Sequence, residues 1–218
     1  MVKVGINGFG RIGRLILRAL LENYKGKIQV VGINDLGSIE TNAHLIKYDS
    51  THGILNHNVK TTGDGFQIGD QNIKVFAEKD PAKLPWGTVG ADVVLECTGF
   101  FLDKDSAGKH IQAGAKKVII SAPAKEVDFT LVQGVNSKEL KKDHNIISNG
   151  SCTTNCLAPI AMVLEKTFGI TYGYMTTIHS YTGDQKLLDT LHKDLRRARA
   201  TEGSMIPTST GAAKAMSL

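Results

Sequence analysis

One hexapeptide constrains this chain more than any other feature. Gly8-Phe9-Gly10-Arg11-Ile12-Gly13 follows an apolar run, Val2-Lys3-Val4-Gly5-Ile6-Asn7, that reads as a short buried strand. Behind it Ile12, Leu15, Ile16, Ala19 and Leu20 recur at helical spacing, so a helix is expected to about Asn23. A second strand, Ile28 to Ile33, then ends at Asn34-Asp35. Three spaced glycines mean little alone in a chain with 23 of them. Between a strand and an amphipathic helix, with an acidic residue closing the next strand, they read as a dinucleotide cradle. Gly8 permits the tight turn, Gly10 lets backbone approach a pyrophosphate, and Gly13 lets helix and strand pack closely. The free N–H groups at the helix start favour the diphosphate. Asp35 suits the adenosine ribose hydroxyls and repels a 2′-phosphate. No Arg lies in Leu36-Gly37-Ser38 to reverse that preference, so NAD is expected rather than NADP. A loop-starting cap is the plainer role open to Asp35.

The pattern continues as α/β. A short helix is expected from Ile39 to Tyr48 and small antiparallel hairpins between Val59 and Ala77, where Gly63-Asp64-Gly65 and Gly69-Asp70 mark turns. Strands are expected at Ala91–Cys97, Lys117–Ser121, Phe129–Val132 and Asn145–Ser148, with a helix from Asp103 to Ala113 capped by Gly114. This predicts a Rossmann-type, doubly wound parallel sheet with inserted hairpins. The ends of later strands, at Cys97-Thr98-Gly99 and Ser121-Ala122-Pro123, belong to the expected ligand crevice or are plain turns. Near residue 150 the character changes. Leu157, Ile160, Ala161, Leu164 and Phe168 form a helical stripe, and Thr171–Tyr181 alternates like a strand.

Ser151-Cys152-Thr153-Thr154-Asn155-Cys156 is the second unusual segment. A thiol between hydroxyl residues at a helix start is a candidate nucleophile, and His179 is a candidate base for it. An inert core position is the plainer reading of any cysteine, and it stands for Cys97. Cys156 is a packing residue or a redox neighbour. The C-x3-C spacing stands alone, so no zinc site is expected. Pro159 lies where a helix from Cys152 would have to kink, or the helix begins later. The other histidines show no ligand spacing.

Composition bounds the rest. Hydrophobic residues at 41% and charged residues at 22% exclude collagen, a disordered tail and a membrane bundle. Three cysteines give no disulfide framework and fit a reducing compartment. No leader pattern precedes the first strand, so a cytoplasmic location is expected. The net charge of +5 suits small anionic ligands. No nucleic-acid recognition motif accompanies the basic stretch Lys193 to Arg199.

These segments, taken in order, resemble the phosphorylating, NAD-dependent glyceraldehyde-3-phosphate dehydrogenases of glycolysis. The resemblance rests on Asn7–Arg14, Ile33–Asp35, Glu96–Gly99, Ser151–Cys156 and Thr208–Lys214, and it spans the whole chain. It implies attack of the Cys152 thiolate on an aldehyde, proton transfer through His179, hydride transfer to NAD and phosphorolysis of a thioester. It implies cofactor contacts at Gly8, Gly10, Arg11, Ile12, Gly13, Asp35, Lys79, Thr98 and Ser121. Several relatives carry Arg where Lys79 stands. It further implies that Ser151, Thr153, Thr182, Thr210 and Gly211 hold the phosphate of glyceraldehyde 3-phosphate and the attacking inorganic phosphate. A homotetramer is implied as well.

The resemblance also sets residues 1–150 as the NAD domain and 151–218 as an incomplete first part of the catalytic domain, since the family's chain continues further. The alternatives are therefore a truncated, catalytically impaired NAD-binding fragment, or a relative acting on erythrose 4-phosphate. One conflict arises. Leu187, Leu188, Leu191 and Leu195 have helical spacing, whereas the family places an extended intersubunit loop there. The loop is the expectation taken.

Overall fold

The computed structural model describes residues 1–203 and 205–212. It divides into two compact units, residues 1–151 and the stretch that begins at Cys152. Ala213 and Lys214, the end of the last motif above, lie outside the described residues.

The first unit opens as a strand–helix–strand. β1 (Val2–Asn7) leads through the glycine turn into α1 (Arg11–Asn23), and β2 (Ile28–Asn34) lies parallel to β1. α2 (Ile39–Lys47) is capped by the Ser38 hydroxyl, which accepts from the Thr41 N–H. A two-rung hairpin of β3 (Tyr48–Asp49) and β4 (Gly53–Ile54) follows. β5 (Val59–Thr62), β6 (Gly65–Ile68) and β7 (Gln71–Phe76) form the expected antiparallel meander. It is not a separate layer, because β7 lies parallel to β2 and carries the meander as the sheet's edge. α3 (Trp86–Val89), β8 (Val93–Glu96), α4 (Lys104–Gln112), β9 (Lys117–Ile120), β10 (Phe129–Thr130) and β11 (Ile146–Ser148) complete the unit. The strand order is β10-β11-β9-β8-β1-β2-β7-β6-β5, parallel from β10 through β7.

Helices cover both faces. Along β8, Val93 and Leu95 pack with the cluster that includes Ile6, Leu17, Ile33 and Ile46 around α1 and α2. Val94 points the other way, into a cluster with Trp86, Leu84 and Ala115. A third cluster joins Ala107 of α4 to Val118, Ile120 and Ile146. Strands buried on both faces read as continuous Val/Ile runs, which is why each was visible in the sequence. The ring of Trp86 lies on bare backbone: a Cβ on Gly5 would stand 2.7 Å from it.

The second unit departs further from expectation. α5 (Cys152–Phe168) begins at the cysteine and runs on through Pro159, so it does not start late. Thr171–Tyr181 is not a strand. Its alternation is genuine, but no strand among the described residues of this unit pairs with it. Tyr174 and Ile178 stand 99% and 93% exposed. Side-chain alternation supplies only sidedness, and a strand also needs a partner for its backbone. Residues 186–199 are turns and bends, with Leu187, Leu188, Leu191 and Leu195 exposed. The helical spacing there is not a helix, and the segment is a loop.

Candidate functional site

The glycine turn is built by contact. Gly8 sits at φ +90°, and a Cβ there would come 2.7 Å from the Thr98 amide nitrogen. A Cβ on Gly13 would lie 2.2 Å from the Gly8 carbonyl oxygen, so α1 meets the turn backbone to backbone. Gly10 differs: a Cβ there meets nothing within 4 Å, and its φ is an ordinary −72°. It faces open space at the start of α1, where no side chain caps the helix and no acidic residue occupies the first turn. That helix end offers its N–H groups and positive dipole end to an anion.

Beside it lies a cavity of about 520 Å³ lined by Gly8, Gly10, Asp35, Lys79, Thr98 and neighbours. Asp35 is locked to the turn: one carboxylate oxygen accepts from the Phe9 N–H at 2.8 Å, the other from Gly37 at 2.9 Å. The remaining four residues singled out for the cofactor do not line this cavity. Arg11 reaches Asp49 at 2.5 Å, Ile12 is half exposed, and Gly13 is the packing contact behind Gly8. The Ser121 hydroxyl bonds to the Cys97 thiol. Sequence reasoning missed Asn7, Leu36, Phe100 and Phe101 in the lining. A polar residue ending β1 and apolar residues just after β2 and β8 were the available signal.

In the second unit Cys152 Sγ lies 3.1 Å from His179 Nε2. The other ring nitrogen, Nδ1, is 2.6 Å from the Ser180 carbonyl oxygen. A carbonyl only accepts, so Nδ1 carries a proton and Nε2 is free to take the one from the thiol. The hydrogen bond and positive charge of His179 hold the Cys152 thiol below its ordinary range against a contrary effect of burial. The Thr153 hydroxyl and N–H add to this. His179 is correspondingly raised, first by the bond to Ser180 and then by Cys152. The pair favours thiolate and imidazolium together. Cys97 is the contrast: burial pushes its thiol up to about 12.

His179 also lines a cavity of about 430 Å³ whose wall includes Thr153, Thr182, Thr208, Thr210 and Arg197. Hydroxyls and one guanidinium make a polar, anion-accepting lining. Arg197 is held by Asp184 at 2.5 Å and by the Thr208 hydroxyl at 3.1 Å. Sequence reasoning placed Arg197 in a basic loop and missed it here, because the bonds that aim it inward come from residues 11 and 13 positions away. Gly211 does not line this cavity. Ser151 closes the first unit, immediately before the cysteine in the chain.

A doubly wound sheet with a dinucleotide cradle defines the first unit as a nucleotide-binding domain, and a cysteine–histidine pair beside a hydroxyl-lined cavity follows it in the chain. Residues 2–104 match the family model described as glyceraldehyde 3-phosphate dehydrogenase, NAD binding domain, and residues 151–218 match that family's C-terminal domain. Similar curated proteins include the glyceraldehyde-3-phosphate dehydrogenase of Xanthobacter flavus, 58% identical over 217 residues. That of Geobacillus stearothermophilus is 58% identical over 218 residues, and glyceraldehyde-3-phosphate dehydrogenase 1 of Bacillus subtilis (strain 168) is 57% identical over 218. Each match covers 100% of this chain and 64–65% of the relative. The chain belongs to the glyceraldehyde-3-phosphate dehydrogenase family, and its first unit carries that family's NAD-binding domain.

Proposed function

We propose that this chain supplies the cofactor site and the nucleophile for the NAD-dependent, phosphorylating oxidation of glyceraldehyde 3-phosphate to 1,3-bisphosphoglycerate. The observation that carries the reading is the 3.1 Å contact between Cys152 and His179 beside the hydroxyl-lined cavity. In this reading residues 1–150 form the NAD domain, and residues 151–218 are the opening part of a catalytic domain. The cradle fits the cofactor: Gly10 leaves room for a pyrophosphate, α1 presents uncapped N–H groups, and Asp35 presents carboxylate oxygens to a ribose. NAD, when bound, supplies a hydride acceptor.

The residues then have these tasks. The Cys152 thiolate attacks the aldehyde carbon, and the carbonyl oxygen takes the Nε2 proton of the His179 imidazolium to give a hemithioacetal, which leaves Nε2 free. His179 Nε2 accepts the hydroxyl proton as the carbon loses hydride, leaving a thioester on Cys152. Inorganic phosphate attacks that thioester, the acyl phosphate leaves, and Cys152 returns as thiolate. Thr153, Thr182, Thr210 and Arg197 hold the anionic groups in the cavity, and Ser151 and Gly211 act from the flanking backbone. Arg11, Ile12, Lys79, Thr98 and Ser121 complete the cofactor contacts. A homotetramer in the cytoplasm is the proposed setting. Among the described residues no helix is long and apolar enough to cross a membrane.

The test is formation of reduced nicotinamide by the purified chain with glyceraldehyde 3-phosphate, NAD and phosphate, compared with erythrose 4-phosphate. Turnover that requires phosphate and disappears in Cys152→Ser supports the reading. NAD binding without turnover restricts the chain to cofactor binding, and preference for the four-carbon aldehyde moves the substrate.

A further inference from the structure

A buried hydrogen-bond chain runs beneath the dinucleotide cavity. Glu96 is its centre, 1% exposed, with His110 fully buried beside it. Glu96 Oε1 accepts from the Thr98 N–H at 2.7 Å and from the Thr98 hydroxyl. Oε2 accepts from Asn7 Nδ2 at 2.6 Å and lies 2.9 Å from His110 Nε2. Trp86 Nε1 donates to His110 Nδ1 at 2.9 Å. On the other side Asn34 Nδ2 donates to Asn7 Oδ1 at 2.7 Å, and the Asn34 amide pairs with both backbone groups of Glu78 at 2.8 Å.

The ends of this chain cannot be reversed. An indole N–H only donates, so His110 Nδ1 must accept and Nε2 must carry the proton toward Glu96. The Glu78 backbone fixes the Asn34 amide. That orients Asn7, whose NH₂ group then faces Glu96. The Thr98 N–H faces Glu96 as well. Three separately fixed donors converge on one side chain, and a carboxylate, which only accepts, meets them all. The Thr98 hydroxyl is the one partner that can turn either way. We take residue 96 as the carboxylate, without a cationic partner because the His110 ring, accepting from Trp86 at Nδ1, carries a single proton. A buried charge is tolerated when its lone pairs are filled, and four donors fill these.

Asn7, Asn34, Glu78 and Thr98, which this carboxylate ties together directly or through one or two side-chain amides, all line the cavity. We propose that Glu96 and His110 are positioning residues for the dinucleotide. The buried anion draws the ends of β1 and β8 into one rigid wall, and Trp86 and Glu78 set its hydrogen-bond direction. The inference rests on the proposed cofactor reading of this cavity. A glutamine at 96 can satisfy Thr98 with its oxygen, but its NH₂ then faces two donors. That conflict is relieved by moving Asn7 or Thr98, so bound dinucleotide must restore the wall.

The experiment uses the full chain, with NAD⁺ affinity by calorimetry and folding by circular dichroism. If wild-type protein does not bind NAD⁺, the cofactor reading fails. If it binds, Glu96→Gln is expected to stay folded and weaken NAD⁺ binding roughly 10- to 100-fold, the range of one buried donor conflict. His110→Gln keeps the same donor and acceptor directions and is expected to bind within about threefold of wild type. His110→Leu, which has neither, is expected to weaken binding about fivefold or more. A folded Glu96→Gln protein with wild-type affinity overturns the inference. Should Glu96→Gln not fold, a folded His110→Leu protein with wild-type affinity overturns it. Imidazole ¹⁵N spectra of the wild type give a further check: a neutral Nε2–H ring at His110 supports the chain, and an Nδ1–H or doubly protonated ring overturns it.

Discussion

Cys152 and Cys97 make opposite chemical environments from one side-chain type, and alkylation measures the difference. The perturbation is iodoacetamide at about pH 7.5, where an ordinary thiol of pKa ~8.5 is about a tenth thiolate. The Cys97 thiol, pushed up to about 12 by burial, is then ionised to only roughly three parts in a hundred thousand. The thiolate populations differ by a factor of about 3,000. A more basic thiolate is the better nucleophile, which returns about 40-fold to Cys97 at a Brønsted slope near 0.45. The net expectation is that even an ordinary exposed thiol reacts roughly 80 times faster than Cys97. Cys152 is exposed and lies below the ordinary range, so its thiolate fraction is larger than an ordinary thiol's while the same slope takes back part of that gain, and Cys152 is expected to label much faster than Cys97. Quenched time points, digestion and mass spectrometry of the two cysteine peptides give both rates. Replacing His179 by Ala removes the main cause of the Cys152 depression, so its labelling rate should fall and its pH profile move upward. If Cys97 labels as fast as Cys152 in the folded wild type, the assignment of the nucleophile is refuted.

Three further outcomes are expected. Gly13→Ala forces a Cβ to 2.2 Å from the Gly8 carbonyl and should lower stability by about 2 kcal/mol or more, whereas Gly10→Ala meets no clash, should cost less, about 1 kcal/mol for alanine at the N-cap of α1, and should weaken NAD binding. Urea titration and calorimetry on both variants separate the two kinds of glycine. Burial pushes the Asp128 carboxyl up, but the Lys104 ammonium and the Ile146 and Asn145 N–H groups outweigh it and hold it at about 2. A depressed carboxylate stabilises the fold above its unfolded value and loses that contribution as pH falls. Asp128→Asn should therefore cost on the order of 2 kcal/mol at neutral pH, shrinking between about pH 4 and pH 2, as read by denaturation at several pH values. Asp35→Ala should erode discrimination against the 2′-phosphate, measured as the ratio of NAD to NADP dissociation constants.

What could be read in advance was local. The strand, turn and helix from Val2 to Asn23 are written in neighbouring residues. The meander was visible from its turn glycines. That β7 runs parallel beside β2 was not, because pairing between distant strands leaves no mark on either one. Thr171–Tyr181 erred for the same reason, alternation without a partner. The cavity residues split likewise. Cys152 announces itself through Ser151 and Thr153, whereas Arg197 becomes a lining residue only through Asp184 and Thr208. The Glu96 chain is a further case, since two of its four donors come from 14 and 89 residues away. An ending such as Glu-Cys-Thr-Gly shows that something polar closes β8, and nothing more.

Trp86, pressed against Gly5 in the first unit, is the only tryptophan among the 218 residues. Light absorbed selectively by indole therefore reports that core alone. An unfolding curve followed by tryptophan emission describes the sheet and its helices while remaining blind to the stretch from Cys152 onward. Peptide circular dichroism, to which α5 contributes strongly, sees both. Comparing the two curves on one sample asks whether the halves of this chain melt as a single cooperative body or in succession, without any label or substitution.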